Sequence, residues 1–194
     1  KNKLAKVPSI VLGTSDVSLY EMVQAYSNIT NNDHQIELIG IERIENKQGE
    51  IIFERELKDP LETPKFDTSS ISSLKAMMTK VTREGTASRL YSLFDIPFPV
   101  FGKTGTTQKQ SDGWFIGCTD DLVIGSWVGT KDRRIHFRNI GTGSGGRTAL
   151  PMVGALFEYA SQKGHINYKF KKTKEFACPD YLGDEQYAYY KENQ

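Results

Sequence analysis

The chain has 194 residues, 38% of them hydrophobic and 25% charged, and its 25 Lys+Arg against 24 Asp+Glu leave a formal net charge of +1. Such a composition fits one globular domain, or one domain with appendages, and excludes a nucleic-acid reader that works by basic excess. No apolar run approaches the roughly 18 to 20 residues of a membrane span, no signal-peptide pattern opens the chain, and a first residue of Lys reads as a piece cut from a longer polypeptide.

Residues 1–12 are irregular, with Pro8 ahead of Gly13-Thr14-Ser15. A helix follows: Ser18 is an N-cap with Glu21 three residues on, as in a capping box, and Leu19, Met22, Val23, Tyr26 and Ile29 recur at helical spacing until Asn31-Asn32. From about residue 36 to 57 the period shortens. Ile36, Leu38, Ile41 and Ile44 precede the turn Asn46–Gly49, and Ile51, Ile52 and Phe53 follow it, which predicts a β-hairpin insertion with Gly40 as a bulge. Lys58–Asp67 reads as a loop. A second helix is expected from Ser69 or Ser70 to Gly85, with Leu74, Met77, Met78 and Val81 as its apolar stripe.

After a short aromatic stretch from Ser88 to Pro99, three strands are predicted: Val100–Thr107, Gly113–Thr119 and Leu122–Val128. Their connections are short enough for antiparallel hairpins. The glycine-rich segment 131–147 reads as loop, and the almost wholly apolar Ala149–Ala160, with Pro151 near its first turn, reads as a buried helix whose obvious partner is the three strands before it. Trp114, Phe115 and Trp127 are read as core packing against Leu150 and Phe157 rather than as a stacking platform. Residues 164–194 form a tail. The fold class is thus α+β, a mostly antiparallel sheet covered by helices.

Two cysteines, Cys118 and Cys178, and three histidines, His34, His136 and His165, lack metal-ligand spacing. Neither a metal nor a nucleotide is implied, and no cofactor is expected. Cys118 falls in an apolar run and reads as a small buried residue; its pairing with Cys178 cannot be argued from spacing.

The chemistry concentrates in Phe101-Gly-Lys-Thr-Gly-Thr-Thr107. On a strand, Lys103 and Gly105 share one face while Thr104 and Thr106 share the other. Glycine permits close approach of a ligand or another backbone. An ammonium, hydroxyls and strand N–H groups are suited to an acyl substrate laid along a strand edge, gripping its carboxylate or an oxyanion.

Taken in order, "VPSIVLGTSDVSLYEMVQAYSNITNN", "TREGTASRL", "FGKTGTTQKQSDGWFIGCTDDLVIGSWVG" and "GSGGRTALPMVGALFEYA" resemble the C-terminal half of the transpeptidase domain of class A penicillin-binding proteins, over about residues 7–160. The resemblance implies a partial penicillin-binding/β-lactamase-like fold over 1–163 and a serine acyl transferase that cross-links peptidoglycan stem peptides and binds β-lactams. It implies that Lys103 is the catalytic motif lysine. It also implies that Thr104, Gly105 and Thr106 bind substrate, that the Thr106 N–H forms half of the oxyanion hole, and that Thr107 shapes the same wall. The parent would be membrane-anchored and work in the periplasm or on the extracytoplasmic face of the cytoplasmic membrane.

The family also needs Ser-x-x-Lys, which holds the nucleophile, and Ser-x-Asn, both upstream of Lys-Thr-Gly. Only 102 residues precede Lys103, and no Ser-x-Asn occurs among them. The one Ser-x-x-Lys, Ser72 to Lys75, lies where the family has a peripheral helix and is read as a decoy. The chain is therefore expected to be inactive alone, with self-association of the piece left open. Two other readings stand beside this one: a non-catalytic module that binds peptidoglycan or a partner, and a small acyl hydrolase using Ser72.

Overall fold

Ser18 opens the first helix by the mechanism its spacing predicts. Its Oγ accepts from the Glu21 N–H at 3.2 Å, and the Glu21 carboxylate accepts from the Ser18 N–H at 2.9 Å. The computed structural model describes residue 4 and residues 6–34, 37–56 and 66–166. After a 3₁₀ turn at Pro8–Leu12, helix α1 spans Leu19–Thr30. Strands β1 (Arg43–Glu45) and β2 (Ile51–Glu54) form the hairpin insertion, helices α2 (Thr68–Arg83) and α3 (Arg89–Leu93) follow, and then come β3 (Phe101–Thr106), β4 (Asp112–Cys118) and β5 (Val123–Gly129). Two single-turn helices, α4 (Ile140–Gly143) and α5 (Gly145–Thr148), lead into α6 (Leu150–Gln162).

The main sheet has the order β3-β4-β5, antiparallel throughout. Side chains alternate across it, so adjacent residues of β4 feed different cores. Phe115 is fully buried on one face with Leu150, Val153 and Phe157 of α6 and with Leu90, Phe98 and Val100. Ile116, its neighbour, faces the opposite way and joins Phe101, Cys118 and Met78, against which Leu19, Met22, Val23 and Tyr26 of α1 pack. The sheet is sandwiched, with α6 on one side and α1 with α2 on the other. The Cys118 thiol is free and sealed in the second core; burial pushes it up to about 12, so it stays protonated near neutrality. Cys178 lies outside the described residues, as do residues 167–194 of the expected tail and most of the loop at 58–67.

Several expectations need correction. The second helix is capped by Asp67, not by Ser69 or Ser70: its carboxylate accepts from the Ser70 N–H at 2.8 Å and the Ser70 hydroxyl at 2.9 Å. Those bonds also hold the Asp67 carboxyl below the usual carboxylate range. The stripe of α2 runs through Ile71, Leu74 and Met78, while Met77 points to solvent. The hairpin's register breaks between Ile44 and Glu45 rather than at Gly40, and both its strands are exposed on both faces. Segment 131–147 is not all loop. Asn139 caps α4 by accepting from the Thr142 N–H at 3.1 Å, and α5 follows Ser144. Glycine is a poor helix former, so these turns owe their shape to packing on the sheet.

Candidate active site

Among the described residues β3 is an edge strand, and the alternation of an antiparallel ladder decides what its free edge presents. The Thr107 N–H donates to the Asp112 carbonyl at 3.1 Å. At every second residue before it, the backbone groups of Gly105, Lys103 and Phe101 face β4, and those of Thr106, Thr104 and Gly102 face outward. The outward set includes the Thr106 N–H. It also includes the Thr104 carbonyl, which accepts from the Lys103 ammonium at 2.8 Å. The lysine side chain is exposed and curls round the edge. Helix α2 braces the start of the strand, where the buried Thr82 hydroxyl donates to the Val100 carbonyl at 2.5 Å.

The side chains divide as alternation predicts. Lys103 and Gly105 lie on the α1 face, opposite Ile116 and Trp114 of β4. Thr104 and Thr106 lie on the other face, beneath the glycine-rich turns. The Gly145 N–H donates to Thr106 Oγ1 at 3.0 Å, and Thr104 Oγ1 stands 2.6 Å from Thr86 Oγ1. Gly145 and Gly146 make this fit possible. A Cβ on Gly145 would run into the carbonyl oxygens of Gly105 and Trp114, and one on Gly146 would lie 2.6 Å from the Thr86 carbonyl oxygen. Thr86, Gly145 and Gly146 touch the predicted site threonines, and sequence reasoning singled out none of the three. The available signal was the glycine cluster itself, which marks close backbone approach.

Thr107 is drawn into the β3–β4 turn. Its Oγ1 accepts from the Asp112 N–H at 2.9 Å and lies 2.9 Å from Ser111 Oγ. The buried Asp112 carboxylate takes donors from the Trp127 indole at 3.0 Å and from the Thr107 and Ser111 hydroxyls at 3.3 and 3.4 Å. Lys109 and Gln110, in the same turn, are left-handed with φ of 58° and 54°. On the β5 side of this turn a cavity of about 250 Å³ is lined by Ser111, Val128, Ile135, His136 and Phe137 among others; Lys103, Thr104, Gly105 and Thr106 do not line it.

The reading of the aromatics holds for Phe115 only. Trp114 and Trp127 stand on the α1 face, with ring centroids 6.2 Å apart, and Trp127 is 39% exposed. Leu19 and Val23 of α1 seat on the row of Gly125, so the next row, Gly105–Trp114–Trp127, is left partly open.

Lys75, the lysine of Ser72–Lys75, is committed elsewhere. Its ammonium donates to the Thr30 carbonyl at the end of α1 at 3.0 Å, pairs with Asp120 at 3.6 Å and lies 5.5 Å from the Phe101 ring centroid. A cation closing the last carbonyl of a helix is a structural use of lysine. Lys75→Met is expected to destabilise the chain by about 1–2 kcal/mol, the worth of a hydrogen bond to a charged group, as read from the urea midpoint. An unchanged midpoint would mean that the ammonium does not hold α1 in place.

Among the described residues, no cluster of three or more His, Cys, Asp or Glu is arranged to hold a metal, and no helix is long and apolar enough to cross a membrane.

The model of the penicillin binding protein transpeptidase domain matches residues 7–132. Penicillin-binding protein 1A of Rickettsia typhi is 31% identical over 199 residues, covering 92% of this chain and 24% of the relative. Penicillin-binding protein 1B of Haemophilus influenzae is 30% identical over 130 residues, 67% of this chain and 16% of the relative. Among solved structures, penicillin-binding protein 1A from Haemophilus influenzae superposes with a TM-score of 0.66 at 20% identity, covering 88% of this chain and 29% of that one. PonA1 from Mycobacterium tuberculosis gives 0.64 at 22% identity, covering 86% and 44%. These two establish the same α+β fold. The chain spans about a quarter of the length of the Rickettsia relative. By the match over residues 7–132, this chain belongs to the penicillin-binding protein transpeptidase family.

Proposed function

We propose that this chain supplies the Lys-Thr-Gly-Thr wall of a peptidoglycan D,D-transpeptidase. One observation carries the reading: the free edge of β3 combines the outward Thr106 N–H with two threonine hydroxyls and the Lys103 ammonium. An acyl-D-Ala-D-Ala strand laid along that edge finds an oxyanion donor in the Thr106 N–H. Its terminal carboxylate finds the hydroxyls of Thr104 and Thr106, and the Lys103 charge favours both anions. Gly105 keeps the wall low. Thr107 acts through the turn, holding the end of β3 in register with β4.

In the reaction, a serine Oγ attacks the penultimate D-Ala carbonyl, and the tetrahedral oxyanion collapses with release of terminal D-Ala. An amine of a second stem peptide then takes the acyl group and frees the serine. β-Lactams acylate the same oxygen. In this reading the serine belongs to a segment outside these 194 residues, since the ammonium of Lys75 serves α1 and not Ser72. The chain alone is therefore inactive. Reaction with its stem-peptide and β-lactam partners needs the rest of the domain, at the extracytoplasmic face of the membrane that anchors the whole protein. Among the described residues β5 pairs with β4 alone, and its second edge offers backbone groups through which the isolated chain could self-associate.

The test is intact mass after incubation with a fluorescent penicillin. This chain is expected to gain nothing, while the full gene product that carries it together with an upstream Ser-x-x-Lys gains one drug mass. An adduct on this chain, lost in Ser72→Ala, would overturn the assignment and restore Ser72 as a nucleophile.

A further inference from the structure

A threonine hydroxyl has one proton to give and two lone pairs to fill. To serve an anion it must donate, and it does so best when another donor already occupies its oxygen. Thr106 is arranged in that way, and Thr104 has a hydroxyl beside it that can act likewise. Thr106 Oγ1 accepts from the Gly145 N–H at 3.0 Å, an N–H that can only donate, and among the described residues its own proton has no acceptor. Thr104 Oγ1 lies 2.6 Å from Thr86 Oγ1.

Thr86 is exposed at its side chain but held at its backbone. It sits between Gly85, whose N–H bonds the Lys80 carbonyl at the end of α2, and Ala87, which is fully buried and whose N–H bonds the Val81 carbonyl. Its own carbonyl abuts Gly146, whose absent side chain leaves room for it, and the same glycine faces Thr104 Cγ2. The Thr86 hydroxyl is thereby presented to Thr104 from a fixed point.

We propose that Thr86 is a positioning residue for the carboxylate grip. It donates to Thr104 and so turns the Thr104 proton toward the ligand anion, as the Gly145 N–H does for Thr106. Each donated bond polarises the hydroxyl that receives it and strengthens the bond that hydroxyl gives in turn. A carboxylate, making charge-assisted bonds, gains more from this than a neutral amide does. The inference rests on the reading of the β3 edge as a carboxylate site.

The test is an NMR titration of the isotope-labelled chain with N-acetyl-D-alanyl-D-alanine and, separately, its C-terminal carboxamide, following the amides of Thr104, Thr106 and Gly145. The wild-type chain is expected to prefer the carboxylate. Thr86→Val, of similar shape but without the hydroxyl, is expected to weaken carboxylate binding about tenfold, the worth of one hydrogen bond, and to leave the carboxamide nearly unchanged. Thr86→Ser is expected to restore the wild-type value, which a merely space-filling role would not predict. Carboxylate binding in Thr86→Val equal to wild type, or a serine variant as weak as valine, overturns the role of Thr86. A wild-type chain with no preference between the two ligands overturns the carboxylate site itself.

Discussion

Phe157→Ala is expected to destabilise the chain by about 3–5 kcal/mol, a large part of the roughly 5–15 kcal/mol that holds a domain of ordinary stability together. Phe157 is fully buried at the centre of the core between α6 and the sheet. Its ring meets Phe98 edge-on, at a centroid distance of 6.0 Å and an interplanar angle of 73°. It also occupies the space above Gly117 of β4, where a Cβ added to the glycine would approach the ring's Cε2 to 2.8 Å. The sheet thus leaves a gap at residue 117 that this ring fills most closely, with Val153 and Phe115 at its sides, and these neighbours are anchored on α6 and β4. Urea unfolding followed by tryptophan fluorescence measures the effect as a lower midpoint at constant slope. Phe157→Leu, which keeps most of the volume, is expected to lose much less. A midpoint shift in the alanine variant worth under 1 kcal/mol would show that the core relaxes around the site.

The second large effect is expected at a glycine. Gly145→Ala adds one methyl group, and that methyl meets backbone on both strands: the carbonyl oxygens of Gly105 and Trp114, and the Trp114 nitrogen at 2.9 Å. No rotamer change can relieve a clash with backbone. Either α5 lifts from the sheet, breaking the Gly145 N–H bond to Thr106, or β3 shifts at the residues proposed to hold substrate. The overpacking is expected to destabilise by about 1–3 kcal/mol and to abolish the carboxylate preference of the chain. Gly40→Ala is the internal control. A methyl group at residue 40 would meet nothing within 4 Å and the φ there is not left-handed, so the effect is expected to stay within about 0.5 kcal/mol. Equal melting temperatures for the two variants would refute the close packing of α5 on the sheet.

Much of the framework was legible because it is local. Ser18 and Glu21 specify the start of α1 within one turn, and the alternation from Phe101 to Val128 specifies three strands and the face each residue takes. The division of Lys103 and Gly105 from Thr104 and Thr106 follows from that alternation alone. Illegible were the features that depend on what lies across space. Met77 and Met78 are equally apolar, and only the position of β3 decides which is buried. Trp114 and Trp127 look like core residues, yet α1 ends its cover one row short of them. The turns α4 and α5 carry the wrong composition for helix and are shaped by the sheet beneath them. Thr86 lies well upstream of Thr104 in sequence, and nothing in its immediate neighbourhood says that its hydroxyl will meet that of Thr104.

The strand order β3-β4-β5 has a consequence for how this region assembles. Each strand pairs with the one made just before it, across a turn of a few residues, and the helix that seals the α6 face of the sheet is the next long element in the chain. Pairings of such short range need little loop-closure entropy before their contacts are gained. Residues 101–162 therefore have the topology of a cooperative unit that can nucleate by itself, with α1, from far upstream, docking onto a sheet already formed. The edge that bears Lys103, Thr104 and Thr106 would then take its shape early, ahead of the contacts that complete the second core.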